Sequence, residues 1–541
     1  MWRRAAGDVE SAQSELLLDI VRRNAHTEFG ASHSFPKIDT VDAFQSAVPI
    51  SSYEDLLPYI EKAAAGAKHV LTADDVQRFG LTSGSTHASK LIPYTQSLLS
   101  EFRSGIDPWV FRLMKNHPRL MRGRSYWSVT PVGEKLGRTT GGIPVGFDDE
   151  RMYFNSFVQW VLRNVMIAPS ELALVQDIDA FKYATLRLLL QEKNITWISV
   201  WNPTFLKLLL QPLEDSYDRL AEDVRRGTMS ADLRVEFGVD RRIRSRLISS
   251  PRRSEEMLRE RLLREGDISA SDARGRTIYE SLWPRLELIS CWAHGNAKNS
   301  LHEITKLFPR ATIEPKGLVA TEAFVSYPYS GDTSALSLLS HFFEFESESG
   351  EVALAHQLSI GKFYSVIVTT GGGLYRYRMN DVVEVCGFVR GCPLVRFIGR
   401  QNNVVDLFGE KLNERFVRSV VERELERRSI PVDFWMLAPD RMASHPGFTL
   451  FIQCGAAMHE GMIGGLGKRI DELLSESYHY RYCRRLGQLS SCKVFVIVPT
   501  CDPHAVYLEA CSHNGQRLGD IKETALHAYQ GWAALFKGAY I

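Results

Sequence analysis

Residues 82–90 read T-S-G-S-T-H-A-S-K and are well suited to bind a phosphate group. Four hydroxyl side chains and one glycine fill the first five positions, and Lys90 ends the stretch. A glycine turn frees backbone N–H groups for an anion, while hydroxyls and a lysine add donors and positive charge. The Walker pattern is absent, because Ser89 rather than glycine precedes Lys90 and Leu91 follows it. Ordinary turns use the same residue types, so this stretch alone leaves both interpretations open.

Two carboxylates end short motifs further along the chain. Glu322 closes the run G-L-V-A-T-E, which follows an apolar segment. One carboxylate and phosphate oxygens can hold Mg²⁺; the alternative is a surface or helix-capping glutamate. Asp381 closes the run G-G-G-L-Y-R-Y-R-M-N-D. A carboxylate at the end of a tight turn can accept both hydroxyls of a ribose, and the alternative is an aspartate that shapes its own turn.

The elements that must position these groups alternate between helices and strands, which is typical of α/β layers. Helical or alternating periodicity predicts helices at residues 14–23, at 96–113 and within 170–193, and strands at 194–200 and 286–289. Residues 125–153 are loop-rich. The aromatic side chains of Tyr126 and Trp127 in this region belong either to a pocket or to the core, and the core is the commoner use.

The last third of the chain changes character. Residues 352–399 are rich in strands, and a polar connector follows at residues 401–403. Beyond it a helix is predicted at residues 412–427 and strands at 433–437, 449–453 and 493–498. Lys522 lies on a glycine-flanked loop, G-Q-R-L-G-D-I-K. We therefore expect a compact α+β unit at the end of the chain.

The composition is that of a globular protein with a large domain and a smaller one. The chain has 541 residues, of which 44% are hydrophobic and 24% charged, and its net charge is +1. This balance predicts no nucleic-acid and no membrane partner. The richest basic run, residues 241–264, also carries glutamates, a pattern that predicts a solvated helix face. Eight cysteines without a C-x-x-C pair, and no signal peptide, favour reduced thiols and a cytoplasmic location.

Four features occur in a fixed order: the loop ending in Lys90, A-T-E, Y-R-M-N-D, and F-I-G-R-Q-N-N before the small C-terminal unit. Together they resemble the acyl-adenylate-forming enzymes. More closely, the chain resembles the Gretchen Hagen 3 (auxin-responsive promoter) family of acyl acid–amido synthetases, including its shorter bacterial-type members. The resemblance covers nearly the whole chain through V-P-I-S-S-Y-E-D-L, T-S-G-S-T, T-G-G-I-P, W-N-P-T-F, W-P-R-L-E-L-I, A-T-E, L-Y-R-Y-R-M-N-D-V-V and G-D-I-K.

This resemblance implies an α/β fold with mixed β-sheets and helices in a large N-terminal domain, residues 1–400. A smaller, mobile α+β C-terminal domain would comprise residues 401–541. The implied enzyme is a ligase that uses ATP and Mg²⁺ to form acyl-AMP and pyrophosphate from a carboxylic acid. It then transfers the acyl group to the amine of an amino acid. We expect a monomer whose partners are the small carboxylic acid and the amino acid or another amine.

Site residues carried over from the resemblance fall into groups by role. The phosphates would be bound by Thr82, Ser83, Gly84, Ser85, Thr86 and Lys90. The adenine and α-phosphate would lie by Gly295, Asn296, Ala320 and Thr321. Glu322 would bind Mg²⁺, Asp381 the ribose, and Arg400 the nucleotide near a hinge at residues 401–402. Lys522 would approach the α-phosphate during adenylation. The acyl pocket would lie near Tyr126, Trp127, Ser128 and residues 140–144.

Three positions depart from the family pattern. His87 occupies a loop position that is usually small. Asn380 stands where glycine is commoner before the motif aspartate, although asparagine tolerates a left-handed turn. Glu523 rather than proline follows Lys522. Lys411 therefore competes with Lys522 for the role of the adenylation lysine.

Two other functions fit the same motifs. An acyl-CoA ligase would use the same adenylation with a thiol acceptor. A non-catalytic nucleotide-binding scaffold would keep the fold without the chemistry, although Lys90, Glu322, Asp381 and Lys522 are all present. Hydrolase chemistry lacks support, because the sequence has no G-x-S-x-G elbow, no H-E-x-x-H motif and no cluster with zinc spacing.

Overall fold

The computed structural model describes most of the chain. The described residues are 1–81, 90–129, 137–146, 166–293, 297–401, 404–408, 410–440, 446–455, 463–514, 516 and 521–541, with the backbone alone at 297–300. They form two compact units. The first comprises Met1–Ala293, Ile304–Met379 and Val383–Phe397, and the second comprises His294–Glu303, Asn380–Val382 and Ile398–Ile541.

Thirteen strands belong wholly or mostly to the first unit. Two of them are shared, because residues 380–382 and 398–400, in the last two strands, belong to the second unit. The thirteen strands are β1 (Arg78–Leu81), β2 (Leu91–Tyr94), β3 (Arg124–Trp127), β4 (Ile195–Ser199), β5 (Leu288–Cys291), β6 (Thr312–Pro315), β7 (Ser326–Ser330), β8 (Thr333–Leu336), β9 (Phe342–Ser347), β10 (Val352–Leu354), β11 (Phe363–Thr369), β12 (Tyr377–Val389) and β13 (Cys392–Arg400). Seven of them form one sheet in the order β10-β9-β11-β12-β13-β8-β7.

The described helices of the first unit precede and separate these strands. They are Trp2–Ala5, Val9–Arg23, Glu28–Ser32, Val41–Ala47, Tyr53–Ala64, Gln96–Asn116, Ile178–Leu190, Pro203–Leu210, Pro212–Arg226, Phe237–Arg244, Pro251–Leu262 and Ile278–Leu282. A further helix, Ala297–Leu307, is divided between the units after Glu303. None of the helices in the described ranges is both long and apolar enough to span a bilayer.

A four-stranded parallel sheet, β3-β4-β5-β6, carries one edge of the first unit's candidate site. Every residue of β4 and β5 is buried. Their apolar runs are typical of parallel strands that are covered on both faces. Trp127 pairs with Ser199, and Cys291 pairs with Pro315, so the carboxyl ends of the four strands meet at one edge. Ligands of open α/β sheets bind at such an edge.

The second unit is a small α+β fold, as the sequence predicts. Its described strands are β14 (Val404–Val405), β15 (Leu412–Asn413), β16 (Val432–Asp440), β17 (Gly447–Cys454), β18 (Lys493–Ile497) and β19 (Gly538–Tyr540), and its other described helices are Glu414–Arg427, Leu466–Leu474, Tyr478–Arg485, Pro503–His513 and Trp532–Leu535. β16 to β19 form one sheet, whose inner side chains Leu437, Leu450 and Ile452 share a buried core with Val417 and Ile470.

Two interpretations from the sequence hold only in part. The region predicted to be loop-rich begins with a strand, because Arg124–Trp127 forms β3 and buries Tyr126 and Trp127. The basic run is only partly a solvated helix face. Arg253 is 5% exposed and donates to the carbonyl of Leu190 at 2.9 Å, while Arg264 is 4% exposed and donates to the carbonyl of Thr277 at 3.0 Å. Both guanidinium groups satisfy buried carbonyls, which periodicity alone does not reveal.

Candidate functional site

The hairpin of β1 and β2 positions Lys90. Leu81 pairs with Leu91 in antiparallel register, so the two ends of the connecting segment lie side by side. The ammonium of Lys90 lies 4.9 Å from the centre of the Tyr53 ring, a cation–π distance. The Tyr53 hydroxyl in turn accepts a hydrogen bond from the Leu91 N–H at 2.9 Å. The loop residues Thr82, Ser83, Gly84, Ser85 and Thr86 lie outside the described residues, as do Gly295 and Asn296.

The run G-L-V-A-T-E forms a tight turn that requires its first glycine. A Cβ atom at Gly317 would lie 2.0 Å from the carbonyl oxygen of Ser326, so no other residue fits without a backbone shift. The N–H of Ala320 donates to the carbonyl of Ala323 at 2.9 Å and closes the turn. Glu322 lies inside this turn and is 7% exposed.

One hydrogen bond joins the Lys90 hairpin to this turn. The hydroxyl of Tyr94, the last residue of β2, donates to the carbonyl of Thr321 at 2.5 Å. Tyr94 is fully buried, which strengthens such a bond. The structure therefore joins the hairpin that carries Lys90 to the A-T-E motif within the first unit, although the two are far apart in sequence.

Glu322 fits the expected role of an Mg²⁺ ligand as a single carboxylate, without a cluster of further metal-binding side chains among the described residues. Within the described ranges, His, Cys, Asp and Glu side chains form no group of three that could hold a metal ion. Mg²⁺ commonly binds one or two carboxylates and completes its shell with waters and phosphate oxygens. A buried lone glutamate in a turn tied to the Lys90 hairpin is compatible with that donor set.

The segment before Asp381 is held by buried ion pairs that the sequence gives no sign of. Arg376 is 6% exposed and makes a bidentate contact with Glu344, with both N–O distances at 2.9 Å. The carboxylate of Glu101 accepts the Gly371 N–H at 2.9 Å and contacts His341 Nδ1 at 2.9 Å. Gly371 and Arg376 lie at the two ends of the turn before β12, so these contacts fix both ends of it. A buried charge is retained only when it is paired.

Asp381 lies in a strand rather than at the end of a turn, which corrects the expectation from the sequence. It is part of β12 and is 3% exposed. Arg400 Nε lies 3.1 Å from its carboxylate. Asn380 has φ of +62°, the left-handed conformation that asparagine tolerates, and its carbonyl accepts the Gln401 N–H at 2.7 Å. The second unit thus brings the predicted residues Asp381 and Arg400 into direct contact.

Lys522 also belongs to the second unit and is exposed, as is its competitor Lys411. The Tyr507 hydroxyl donates to the Lys522 carbonyl at 3.1 Å. Glu523, which replaces the proline of the family pattern, lies 2.6 Å from His504 Nδ1, and both side chains are buried. Burial disfavours the charged imidazole, but the neighbouring Glu523 carboxylate outweighs it and raises the pKa of His504.

The two halves of the predicted acyl pocket have different environments. Trp127 lies in a buried aromatic cluster, with its ring centre 4.9 Å from that of Trp197. Residues 140–144 instead follow the backbone of β1, where the Phe79 N–H donates to the Pro144 carbonyl at 2.9 Å. A Cβ atom at Gly141 would lie 2.4 Å from the Gly66 nitrogen, so this glycine permits a close backbone approach.

All eight cysteines are free thiols, and none is suited to be a nucleophile at the sheet edge. Cys291 ends β5, and burial raises the pKa of its thiol to about 12. A thiol in that state is protonated at neutral pH and is a poor nucleophile. The chemistry at this edge is therefore left to charged and hydroxyl side chains.

Comparisons with known proteins show the family of this chain. The model of the GH3 family N-terminal domain matches residues 3–313, and that of the GH3 family central domain matches residues 334–400. The indole-3-acetic acid-amido synthetase GH3.2 of Arabidopsis thaliana is 26% identical over 76% of this chain and 78% of its own. The probable indole-3-acetic acid-amido synthetase GH3.12 of Oryza sativa subsp. japonica is 25% identical over 78% of this chain and 74% of its own.

A solved structure shows the same fold over nearly the whole chain. The AtGH3.15 acyl acid amido synthetase in complex with 2,4-DB has a TM-score of 0.82 and 20% identity, and covers 98% of this chain and 94% of that one. The matched fold, the two matched domains and the ordered motifs lead to one conclusion: the chain belongs to the GH3 family.

Proposed function

We propose that the protein is an ATP-dependent acyl acid–amido synthetase, a ligase that forms carbon–nitrogen bonds. The acid's carboxylate attacks the α-phosphate of ATP, which gives acyl-AMP and releases pyrophosphate. An amino-acid amine then attacks the acyl carbon, and AMP leaves. The observation that carries the proposal is the Tyr94–Thr321 hydrogen bond, because it joins the hairpin that carries the candidate phosphate lysine to the A-T-E turn in a member of the GH3 family.

The proposed chemistry suits the side chains that the fold offers. A carboxylate is a poor electrophile, and AMP is a far better leaving group than oxide. Negative charge concentrates on phosphate oxygens in the first half-reaction, so fixed donors and cations supply most of the stabilisation. Mg²⁺, when bound, would neutralise part of that charge as a Lewis acid.

Each candidate residue has a separate task in this proposal. Lys90, with residues 82–86, binds the phosphates, and Glu322 holds Mg²⁺. Ala320 and Thr321, with Gly295 and Asn296, lie by the adenine and α-phosphate. Asp381 binds the ribose hydroxyls beside Arg400. Lys522 contacts the α-phosphate during adenylation, and the buried Glu523–His504 pair holds its backbone in place.

We further propose that residues 1–400 and 401–541 act as two domains that rotate between the half-reactions, since such closure can gate turnover. The eight free thiols favour a cytoplasmic location, and we expect the protein to be a monomer.

The test is acid-dependent exchange of labelled pyrophosphate into ATP, followed by mass analysis of the product formed with amino acids or with coenzyme A. Lys522→Ala and Lys411→Ala form a matched pair, because both lysines are exposed and loop-placed. Loss of exchange in Lys522→Ala, with exchange retained in Lys411→Ala, supports Lys522 as the adenylation lysine. A coenzyme A thioester as the sole product would identify an acyl-CoA ligase. ATP binding without any acyl product trapped by hydroxylamine would indicate a non-catalytic scaffold.

A further inference from the structure

Lys316 is a buried lysine at the carboxyl edge of the parallel sheet. It follows the last residue of β6 and is only 8% exposed. Its ammonium lies 2.9 Å from the hydroxyl oxygen of Ser199, which is also buried. Ser199 ends β4, which is separated from β6 by β5 in the sheet. Lysine is rarely buried, because removing an ammonium from water is costly. A lysine placed at a ligand-binding edge therefore calls for a functional explanation.

Indole rings surround this ammonium. Its distance is 4.3 Å to the centre of the Trp201 ring and 5.8 Å to that of Trp109. The ring of Trp109 lies 6.3 Å from that of Trp197, which in turn contacts Trp127. We call Trp109, Trp127, Trp197 and Trp201 the tryptophan wall. Cation–π contacts of this kind stabilise a desolvated ammonium and present flat apolar surface beside it.

The tryptophan wall also contains donors that lack acceptors. Among the described residues, the indole N–H groups of Trp109 and Trp197 are buried without a hydrogen-bond partner. Buried indole N–H groups usually find an acceptor, and a group without one needs an explanation. A ligand that brings oxygen acceptors to this flat aromatic surface would explain these N–H groups.

Lys316 is also directly connected to the nucleotide motif. It immediately precedes Gly317, the first residue of the G-L-V-A-T-E turn. The chain from Lys316 to Thr321 spans at most about 18 Å if fully extended. This limit places Lys316 and the A-T-E motif in the same region of the first unit.

We propose that Lys316 and Ser199 bind a second oxygen group of an aromatic acyl acid, at the end away from the carboxylate that is adenylated. This inference rests on the proposed function. The ammonium binds a carboxylate or hydroxyl oxygen on the ring, the Ser199 hydroxyl donates a second hydrogen bond, and the tryptophan wall packs against the ring. Lys316 is thus a specificity-determining residue that selects ring acids bearing such a group over their unsubstituted parents.

The experiment compares Lys316→Met with the native protein and with Lys182→Met. Lys182 is a suitable control, because it is largely buried on the helix Ile178–Leu190 and pairs with Asp179 at 2.8 Å. The probes are phenylacetate and its 3- and 4-hydroxy and 3- and 4-carboxy derivatives. There are two readouts. Acid binding without ATP is monitored by tryptophan fluorescence, and turnover is measured as kcat/KM for pyrophosphate exchange. Thermal melting confirms that each variant folds.

The native protein should prefer at least one substituted acid to phenylacetate by about 10- to 100-fold, as expected for a hydrogen bond to a charged group. Lys316→Met should abolish that preference by lowering kcat/KM more for the substituted acids than for phenylacetate. Ser199→Ala should reduce the preference, and Lys182→Met should retain it. Equal losses for substituted and unsubstituted acids, or no preference in the native protein, would overturn the inference. Absence of exchange with every acid while selective binding persists would instead count against the proposed function.

Discussion

Arg400 Nε lies 3.1 Å from the carboxylate of Asp381, which is almost fully buried while Arg400 is 42% exposed in its side chain. The guanidinium is thus partly exposed to solvent while it contacts the buried carboxylate. If the carboxylate accepts the ribose hydroxyls, Asp381→Asn should raise the KM for ATP by about 10- to 100-fold, since hydrogen bonds to charged groups contribute about 1.5–3 kcal/mol. Pyrophosphate exchange at varied ATP concentration measures this.

The stability of Asp381→Asn separates a ribose contact from a structural role. Asparagine keeps the shape of the buried Asp381 side chain, and the Arg400 side chain is 42% exposed to water, so the melting temperature should change only slightly. A large fall in melting temperature with an unchanged KM for ATP would show that Asp381 is structural.

Glu322→Gln should reduce pyrophosphate exchange by about 100-fold or more, because a lost metal contact removes several kcal/mol of charge stabilisation. The variant should also need more Mg²⁺ to reach half of its maximal rate. Glu351→Gln, an exposed surface position, provides the matched control. An unchanged Mg²⁺ dependence in Glu322→Gln would remove the glutamate from the metal site.

Gly317→Ala should destabilise the first unit, because the added Cβ would lie 2.0 Å from the Ser326 carbonyl oxygen. Overpacking of this kind costs about 1–3 kcal/mol, and denaturant unfolding measures it. Gly238→Ala is the control, since nothing lies within 4 Å of a Cβ atom there. Equal stability of the two variants would show that the turn shifts easily, contrary to the packing described above.

The Glu523–His504 pair predicts a pH-dependent stability. The raised pKa of His504 means that the folded protein binds this proton more tightly than the unfolded chain. The stabilisation is fully present below the unfolded histidine pKa of about 6.5 and is lost as the pH rises through the folded value. The difference in unfolding free energy between the native protein and Glu523→Gln should therefore shrink from pH 6 towards pH 9. Glu509→Gln, at an exposed position, should show no such trend.

Local patterns predicted the elements well where one face of an element is apolar. The helix Glu414–Arg427 and the strand Ile195–Ser199 lie where periodicity places them. The first long helix starts at Val9 rather than at residue 14, because the Asp8 carboxylate caps it by accepting the Ser11 N–H at 3.1 Å. Periodicity does not detect such a cap when the first turn is polar.

The site was harder to predict, since its decisive contacts join distant parts of the sequence. Motif order identified Glu322 and Asp381 as candidates, but the Tyr94–Thr321 bond links residues 227 positions apart. Arg376 and Glu344 are likewise separated by 32 positions and meet only across strands. Lys316 was missed because E-P-K-G resembles an ordinary polar turn. Burial decides its significance, and a single sequence does not show burial.

The β1–β2 hairpin has an evolutionary consequence. Because Leu81 and Leu91 clamp both ends of the intervening segment, insertions or deletions between them leave the flanking register intact. A slip of one residue within β2 would instead turn Tyr94 to the opposite face and break its bond to Thr321. A change in length between the strands thus leaves the fold of the hairpin intact, whereas a register slip within β2 separates it from the neighbouring turn.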